Sequence, residues 1–402
     1  LNNPLASRNF SLMRTATIRV NLSGAIPGLS GMTLSKNIQP EPAHDRSYDI
    51  AIGPGVLASL GQKLSAVDAR RCVIIADAAV LGSHAAQAET ILRAAGIDVT
   101  AIAVPAGEAS KSVSEASRLW NALAQLAVDR STHIVAVGGG VVGDLAGFVA
   151  ATFARGLPLW HVPTTLVAQV DSGIGGKTGI NLEAGKNLVG GFWQPRGVVA
   201  DTNTLATLPN REFTSGLAEV VKYGMILDAD FFSWLESHVQ AILARNGLAD
   251  HTAALVHIVE RSASIKGSVV EQDEHERSGL RAVLNYGHTF AHAFETAAGY
   301  GTLLHGEAVA IGMVAAARLA QLLGRIGPDV VARQTKLLQA LGLATRSIAA
   351  EQIPVERLID IMARDKKTLH GRLRFVLPTR IGHAELVTDV DPAAVRESLR
   401  PE

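Results

Sequence analysis

Between Ser47 and Leu208, short apolar runs alternate with amphipathic stretches, and this rhythm confines the first half of the chain to an open α/β sheet. Cys72 to Ala76 and His133 to Val137 are β-branched runs that end in Asp or Gly, as buried parallel strands do, while Ser114 to Ala127 has helical spacing. Ser47 to Ile52 alternates and closes on Gly53-Pro54-Gly55, which predicts a strand followed by a turn. After Leu208-Pro209 the texture changes to long Ala/Leu/Val/His segments, predicting helices over Arg211–Met225, His251–Val270, Leu284–Ala298 and Gly306–Leu323. The expected organisation is a disordered extension or non-native start over 1–43, a Rossmann-like α/β domain over 44–208 and a mostly α-helical domain over 209–402.

Composition narrows the function classes. Lys+Arg 37 against Asp+Glu 37 leaves a formal net charge of +0, so neither nucleic acid nor an anionic membrane is an expected partner. Hydrophobic residues make up 48% and charged ones 18%, which excludes a disordered chain, and mean hydropathy is +0.21. The most apolar stretch, Gly306 to Gly324, carries Glu307 and Arg318, whereas a spanning helix wants about 20 predominantly apolar residues, so a soluble protein is expected. Cys72 is the sole cysteine; any metal must therefore rest on His and carboxylate ligands, and a reducing cytoplasm fits. The first forty residues hold Arg8, Arg14, Arg19 and Lys36 with no acid before Glu41, the look of a transit peptide or of an upstream start ahead of Met13 or Met32; the second reading is preferred.

His133–Val137 runs into Gly138-Gly-Gly-Val-Val-Gly143-Asp144, so a strand, a G-x-G-x-x-G turn and a helix follow in order. Glycines let the backbone approach a pyrophosphate, and a helix N-terminus offers unpaired N–H groups, so a dinucleotide fits here. The acid that usually holds the ribose about twenty residues later is absent, because Pro163-Thr164-Thr165 stands there. A second stretch, Asp171-Ser-Gly-Ile-Gly-Gly-Lys177-Thr178, approaches a P-loop, but Asp171 replaces its first glycine and would repel phosphate, which argues against an NTPase. Its glycines still present Lys177, and Lys186-Asn187 follows, on backbone a ligand can approach closely.

His288-Thr-Phe-Ala-His292 sets two imidazoles at i and i+4, His305-Gly-Glu307 opens the next helix, and Glu219 lies on another apolar helix. Polar groups there suggest a divalent metal, since a buried His or Glu needs a partner to offset desolvation. Spacing alone does not select three ligands from Glu219, His288, His292 and His305.

Taken in order, the blocks Gly138-Gly-Gly-Val-Val-Gly-Asp144, Pro163-Thr-Thr-Leu-Val-Ala-Gln-Val-Asp171, Gly175-Gly-Lys-Thr178, Gly185-Lys-Asn187, Ala218-Glu-Val-Val-Lys222, Leu284-Asn-Tyr-Gly-His288 and His305-Gly-Glu307 resemble the 3-dehydroquinate synthases, the shikimate-pathway branch of the sugar phosphate cyclases. The resemblance runs from about Asp45 to Pro392. It implies zinc, with cobalt as a substitute, on Glu219, His288 and His305, and moves His292 to substrate contact or proton transfer. It implies NAD contacts from Asp77, Glu108, Lys111, Gly140, Val141, Val142, Gly143, Asp144, Thr164, Thr165, Lys177, Lys186, Thr204 and Thr207. Asp77 then supplies the missing acid, while Ala79 replaces an Asn frequent in the family. Arg155, Asp171, Lys177, Lys186, Asn187, Lys222, Lys266, Arg281, Asn285, His292 and Lys367, or its neighbour Lys366 in its place, would face a phosphorylated sugar acid. The 44–208 domain would then be the NAD-binding one and the 209–402 domain the metal- and substrate-binding one. A homodimer is also implied.

The implied reaction turns 3-deoxy-D-arabino-heptulosonate 7-phosphate into 3-dehydroquinate: transient oxidation at C5 acidifies the C6 proton, phosphate leaves by β-elimination, the ketone is reduced again, and the ring opens and closes by aldol addition. The lysines and arginines match the substrate's carboxylate and phosphate. The alternatives are a sibling cyclase of valiolone or inosose type, a metal-dependent polyol dehydrogenase, which would have little use for so many lysines, and a catalytically dead binding protein.

Overall fold

The buried β-branched runs assemble into a seven-stranded sheet, seen in a computed structural model that describes residues 15–22, 45–245, 247–299, 301–346, 353–365 and 373–400. Its strands are β1 (Ala16–Val20), β2 (Tyr48–Gly53), β3 (Arg71–Asp77), β4 (Asp98–Val104), β5 (His133–Gly138), β6 (Leu159–Pro163) and, after the hairpin β7 (Lys177–Leu182) and β8 (Gly185–Phe192), β9 (Gly197–Asp201). Helices α1 (Leu60–Ser65), α2 (Ala86–Ala94), α3 (Val113–Gln125) and α4 (Gly140–Thr152) connect them. The order is β1-β2-β9-β6-β5-β3-β4, parallel except for the β1–β2 pair. Because β4 lies on one side of β3 and β5 on the other, the winding reverses between β3 and β5, and the carboxyl ends Asp77 and Gly138 flank the crevice where such sheets bind ligands.

The second half is helical: α5 (Asn210–Leu227), α6 (Ala229–Leu243), α7 (Ala249–Gln272), α8 (His288–Ala298), α9 (His305–Leu322), α10 (Pro328–Ala340), α11 (Val355–Asp365) and α12 (Pro392–Ser398), with one hairpin, β10 (Arg374–Arg380) and β11 (His383–Thr388). One apolar core joins the two halves, since Val20, Tyr48, Ile50 and Ile52 from the sheet edge pack with Leu217, Val221, Ile258 and Val270 from α5 and α7. Among the described residues no helix is long and apolar enough to cross a membrane.

Two expectations change, and the reading against a phosphate loop is supported. Part of the supposed unstructured extension is a strand: β1 pairs with β2 from Ala16↔Ile52 to Val20↔Tyr48 and buries Val20, because its apolar residues alternate with exposed Thr17 and Arg19. Residues 1–14 and 23–44 lie outside the described residues. The helix expected from Leu284 begins only at His288, because a short 3-10 turn over Leu280–Asn285 is followed by Gly287 at φ 78, a left-handed conformation that a helix interior does not accept. Lys177 opens a strand, so the P-loop-like segment lacks the helix a phosphate loop requires.

Candidate active site

The crevice is built by backbone first. Helix α4 starts at Gly140 directly after β5, and no side chain caps it, so its first N–H groups are left for a ligand. A Cβ on Gly140 would lie 2.8 Å from Ser172 Oγ, and that hydroxyl is buried with no hydrogen-bond partner, so the cradle needs glycine and offers an unused polar atom. These features fit a dinucleotide. Asp77 closes β3 and accepts from Ala79 N at 2.8 Å. Thr164 N donates to Gly138 O at 2.9 Å, Thr165 Oγ1 accepts from Ala168 N at 3.2 Å, and Val141, Val142 and Gly143 form the first turn of α4.

Lys111 crosses from the crevice to the hairpin, donating to Asp144 Oδ2 at 2.7 Å and to Asn187 Oδ1 at 2.5 Å. Burial raises the Asp144 carboxyl despite this lysine. Glu108 Oε1 accepts from Asn181 Nδ2 at 2.7 Å, a second tie to the hairpin, and Asn187 sits at φ 55. Thr204 is buried, and its hydroxyl donates to Asp201 O at 2.7 Å and accepts from Gln169 Nε2 at 3.1 Å. Thr207 Oγ1 meets His84 Nε2 at 2.8 Å.

Helices α5, α8 and α9 bring Glu219, His288 and His305 together, with ligand atoms all within 4.8 Å of one another. Glu219 Oε1 lies 3.5 Å from His288 Nε2 and 3.3 Å from His305 Nε2. A tetrahedral ion with bonds of about 2.0–2.1 Å has edges of about 3.3–3.4 Å, so these spacings suit zinc. His288 Nδ1 faces Tyr286 O at 3.1 Å and must donate to it, which leaves Nε2 as the lone-pair donor. Both Glu219 carboxylate oxygens are buried; Oε2 meets the Lys222 ammonium and Oε1 is turned to the two histidines, as a metal ligand would be. Burial would raise the Glu219 carboxyl, but Lys222 and the histidines pull it down to about 2. Burial lowers His288 to about 3, while for His305 the bonds to Glu219 and Glu295 outweigh burial and raise it to about 10. The same arrangement leaves His292 out of the ligand group; its ring is edge-on to His288 at 5.8 Å.

Beside the metal group stands a row of charges. Lys222 contacts Glu219 Oε2 and lies 3.9 Å from Asp171 Oδ1, which Lys266 reaches at 2.7 Å and Tyr223 OH at 2.5 Å. Lysine charges and hydrogen bonds overcome burial to hold Asp171 well below the usual carboxylate range; Lys222 is raised despite burial, and burial lowers Lys266. Arg281, 1% exposed, donates to Gly175 O at 3.3 Å and Glu274 O at 2.7 Å, and its Nε is buried without a partner. Lys177 pairs with Glu276 at 2.8 Å, Lys186 lies 3.7 Å from Glu295, and Asn285 is exposed.

Arg155 does not join this group within the chain. It follows the far end of α4, whose 13 residues span roughly 20 Å at 1.5 Å per residue, and it sits exposed at φ 64. Lys366 and Lys367 lie outside the described residues. Four residues escaped the sequence reading. Tyr223 and Ser172 directly follow the motif residues Lys222 and Asp171, Gln169 lies in the Pro163–Asp171 block, and Glu295, seven residues after His288, shares its helical face.

Family models of 3-dehydroquinate synthase match residues 101–215 (N-terminal) and 216–368 (C-terminal). The chain is 48% identical over 353 residues to the 3-dehydroquinate synthase of Rhodopirellula baltica, covering 86% of this chain and 92% of that one. To the Nitrosospira multiformis enzyme of the same name it is 43% identical, covering 91% and 98%. Among solved structures, 2-epi-5-epi-valiolone synthase from Streptomyces hygroscopicus, with NAD+ and Zn2+ bound, superposes with a TM-score of 0.79 at 27% identity, over 92% of this chain and 98% of that one. A 2-deoxy-scyllo-inosose synthase complexed with carbaglucose-6-phosphate, NAD+ and Co2+ gives 0.79 at 30% identity, over 89% and 97%. Butanol dehydrogenase A of Thermotoga maritima, at 17% identity and a TM-score of 0.61 over 87% and 95%, shares the fold.

Proposed function

The chain belongs to the 3-dehydroquinate synthase family, and from that premise we propose how its own residues carry the family's reaction, the conversion of 3-deoxy-D-arabino-heptulosonate 7-phosphate to 3-dehydroquinate and phosphate on the route to chorismate and the aromatic amino acids. The observation that carries the proposal is the adjacency of the Glu219–His288–His305 group to the Asp171–Lys222–Lys266 row, reached from one side by the glycine crevice. Bound NAD supplies a hydride acceptor and donor, and a bound divalent cation polarises the oxygens it contacts.

The protein's part is charge and orientation. The α4 N-terminus and the Gly138–Gly140 backbone would receive the pyrophosphate, with Asp77, Glu108, Lys111, Asp144, Thr164, Thr165 and Thr207 around it. Lys222, kept protonated by Glu219 and Asp171, presents a fixed cation to oxygen atoms that become negative during elimination. Asp171 holds Lys266 and accepts from Tyr223, so it organises the lysines rather than taking up a proton. Lys177, Lys186 and Asn187 on the hairpin, with Lys366 or Lys367, would meet the phosphate end. Arg281 props Gly175 and would offer its unpartnered Nε to the carboxylate, and Asn285 and His292 would contact ring hydroxyls. Phosphate itself would serve as base in its own elimination. The proposal also takes zinc as resident metal with cobalt able to replace it, a homodimer, a cytoplasmic setting, and a division at Leu208–Pro209 between NAD-binding and metal-binding parts.

The sibling cyclases act without the carboxylate, so paired substrates test the reading. Purified protein with NAD and zinc should release phosphate from the heptulosonate phosphate and refuse sedoheptulose 7-phosphate, which leaves Arg281 unpaired. Efficient cyclisation of the latter alone would replace this reading with a sibling cyclase.

A further inference from the structure

Glu295 is a buried carboxylate, 6% exposed, on a helix whose neighbouring residues Ala291, Ala293 and Phe294 are apolar and buried. A charge in that setting needs partners, and it has two N–H donors from different elements. His305 Nδ1 on α9 faces its Oε1 at 3.4 Å, and Lys186 Nζ on β8 lies 3.7 Å from the same oxygen. On α8 the residue is i+7 from His288 and i+3 from His292, so one helical face carries a metal ligand and the group that meets the other ligand's ring. A carboxylate accepts only, so Nδ1 donates to Glu295, and Nε2, 3.3 Å from Glu219 Oε1, is left as the atom that would hold a metal.

We infer that Glu295 is a positioning residue of the metal centre: it fixes the tautomer and ring orientation of His305 and ties Lys186 of the β8 hairpin to the same carboxylate. The inference rests on the reading of Glu219, His288 and His305 as metal ligands. Outer carboxylates on ligating histidines typically contribute 10–100-fold in metal affinity.

The test uses the full chain, stripped of metal and titrated with zinc against a competing chelator, and separately loaded with cobalt for its visible spectrum. Glu295→Ala should weaken zinc about 10–100-fold and alter the cobalt bands, and Glu295→Gln, which keeps an acceptor, should recover part of the affinity. Should the Ala variant fail to fold, the near-isosteric Gln variant still reads out the loss. Wild-type zinc affinity and cobalt spectrum in both Glu295 variants, while His305→Ala loses metal, would overturn the inference and leave the ligand set standing. Unchanged zinc affinity in His305→Ala would instead remove the ligand set, and the inference with it.

Discussion

Lys222 follows Glu219 by one turn of α5, and the two buried side chains meet: the ammonium takes Oε2 and leaves Oε1 facing His288 and His305. The alternation continues through Asp171 to Lys266, so each buried charge has an opposite neighbour on its own side of the metal group. Such a row resists removal of any member, because what remains is an uncompensated buried charge.

Asp171→Asn takes out the shared anion. Buried Lys266 then loses its carboxylate and Lys222 keeps only Glu219, a loss of about 3 kcal/mol at the lower end for broken buried pairs, since Asp171 keeps some solvent contact. Calorimetry should show a melting temperature lower by several degrees, with kcat/KM reduced at least tenfold. A variant as stable and active as wild type would mean that the lysines are held otherwise.

Gly306→Ala tests the seat of His305. A Cβ there would lie 1.8 Å from Ser215 O, so the start of α9 must move off α5 and carry His305 with it. Overpacking of this kind costs about 1–3 kcal/mol, and zinc affinity should fall more than tenfold. Gly267→Ala is the matched control, because its Cβ would stand 3.4 Å from Val20 Cγ2 within α7, and it should leave stability unchanged or slightly raised.

Acid should weaken the sheet through His133 and His161. Burial holds each at about 4, below the ordinary 6.5, and His133 Nδ1 accepts from Trp160 Nε1 at 3.0 Å, a bond that protonation breaks. The unfolded chain takes up these protons first as pH falls. Stability from both rings is therefore complete above 6.5 and is lost between 6.5 and about 4, at up to about 1.4 kcal/mol per pH unit for each ring. Denaturant midpoints between pH 7.5 and 4.5 should fall less steeply in His161→Gln; an equal slope would contradict the assignment.

Arg281→Lys removes a planar fork that both holds Gly175 and keeps a donor free. Charge-assisted bonds contribute roughly 1.5–3 kcal/mol each, so about tenfold or more in kcat/KM should be lost while zinc content stays that of wild type. Retained kcat/KM would remove the carboxylate role.

The strand–glycine–helix run and the helical second half were legible because their signals are local: β-branched runs, glycines and 3.6-residue spacing. Gly287 was misread as helix interior because its left-handed φ leaves no mark on apolar spacing. The edge strand β1 was missed because five alternating residues mean little until Tyr48–Ile52 pairs with them. Spacing alone left four candidate ligands; the family resemblance picked Glu219, His288 and His305, and the geometry brings the same three together while His292, on the face of His288, stays outside the group. Glu295 looked like any helical acid until α9 brought His305 against it.

The most direct measurement follows phosphate release and NADH absorbance together while the zinc-loaded enzyme turns over 3-deoxy-D-arabino-heptulosonate 7-phosphate with NAD. Hydride leaves and returns to the same molecule in this account, so phosphate should accumulate over many turnovers while NADH never exceeds the enzyme concentration. NADH accumulating in step with substrate consumption, with no phosphate released, would contradict it and place the chain's chemistry with the polyol dehydrogenases that share its fold.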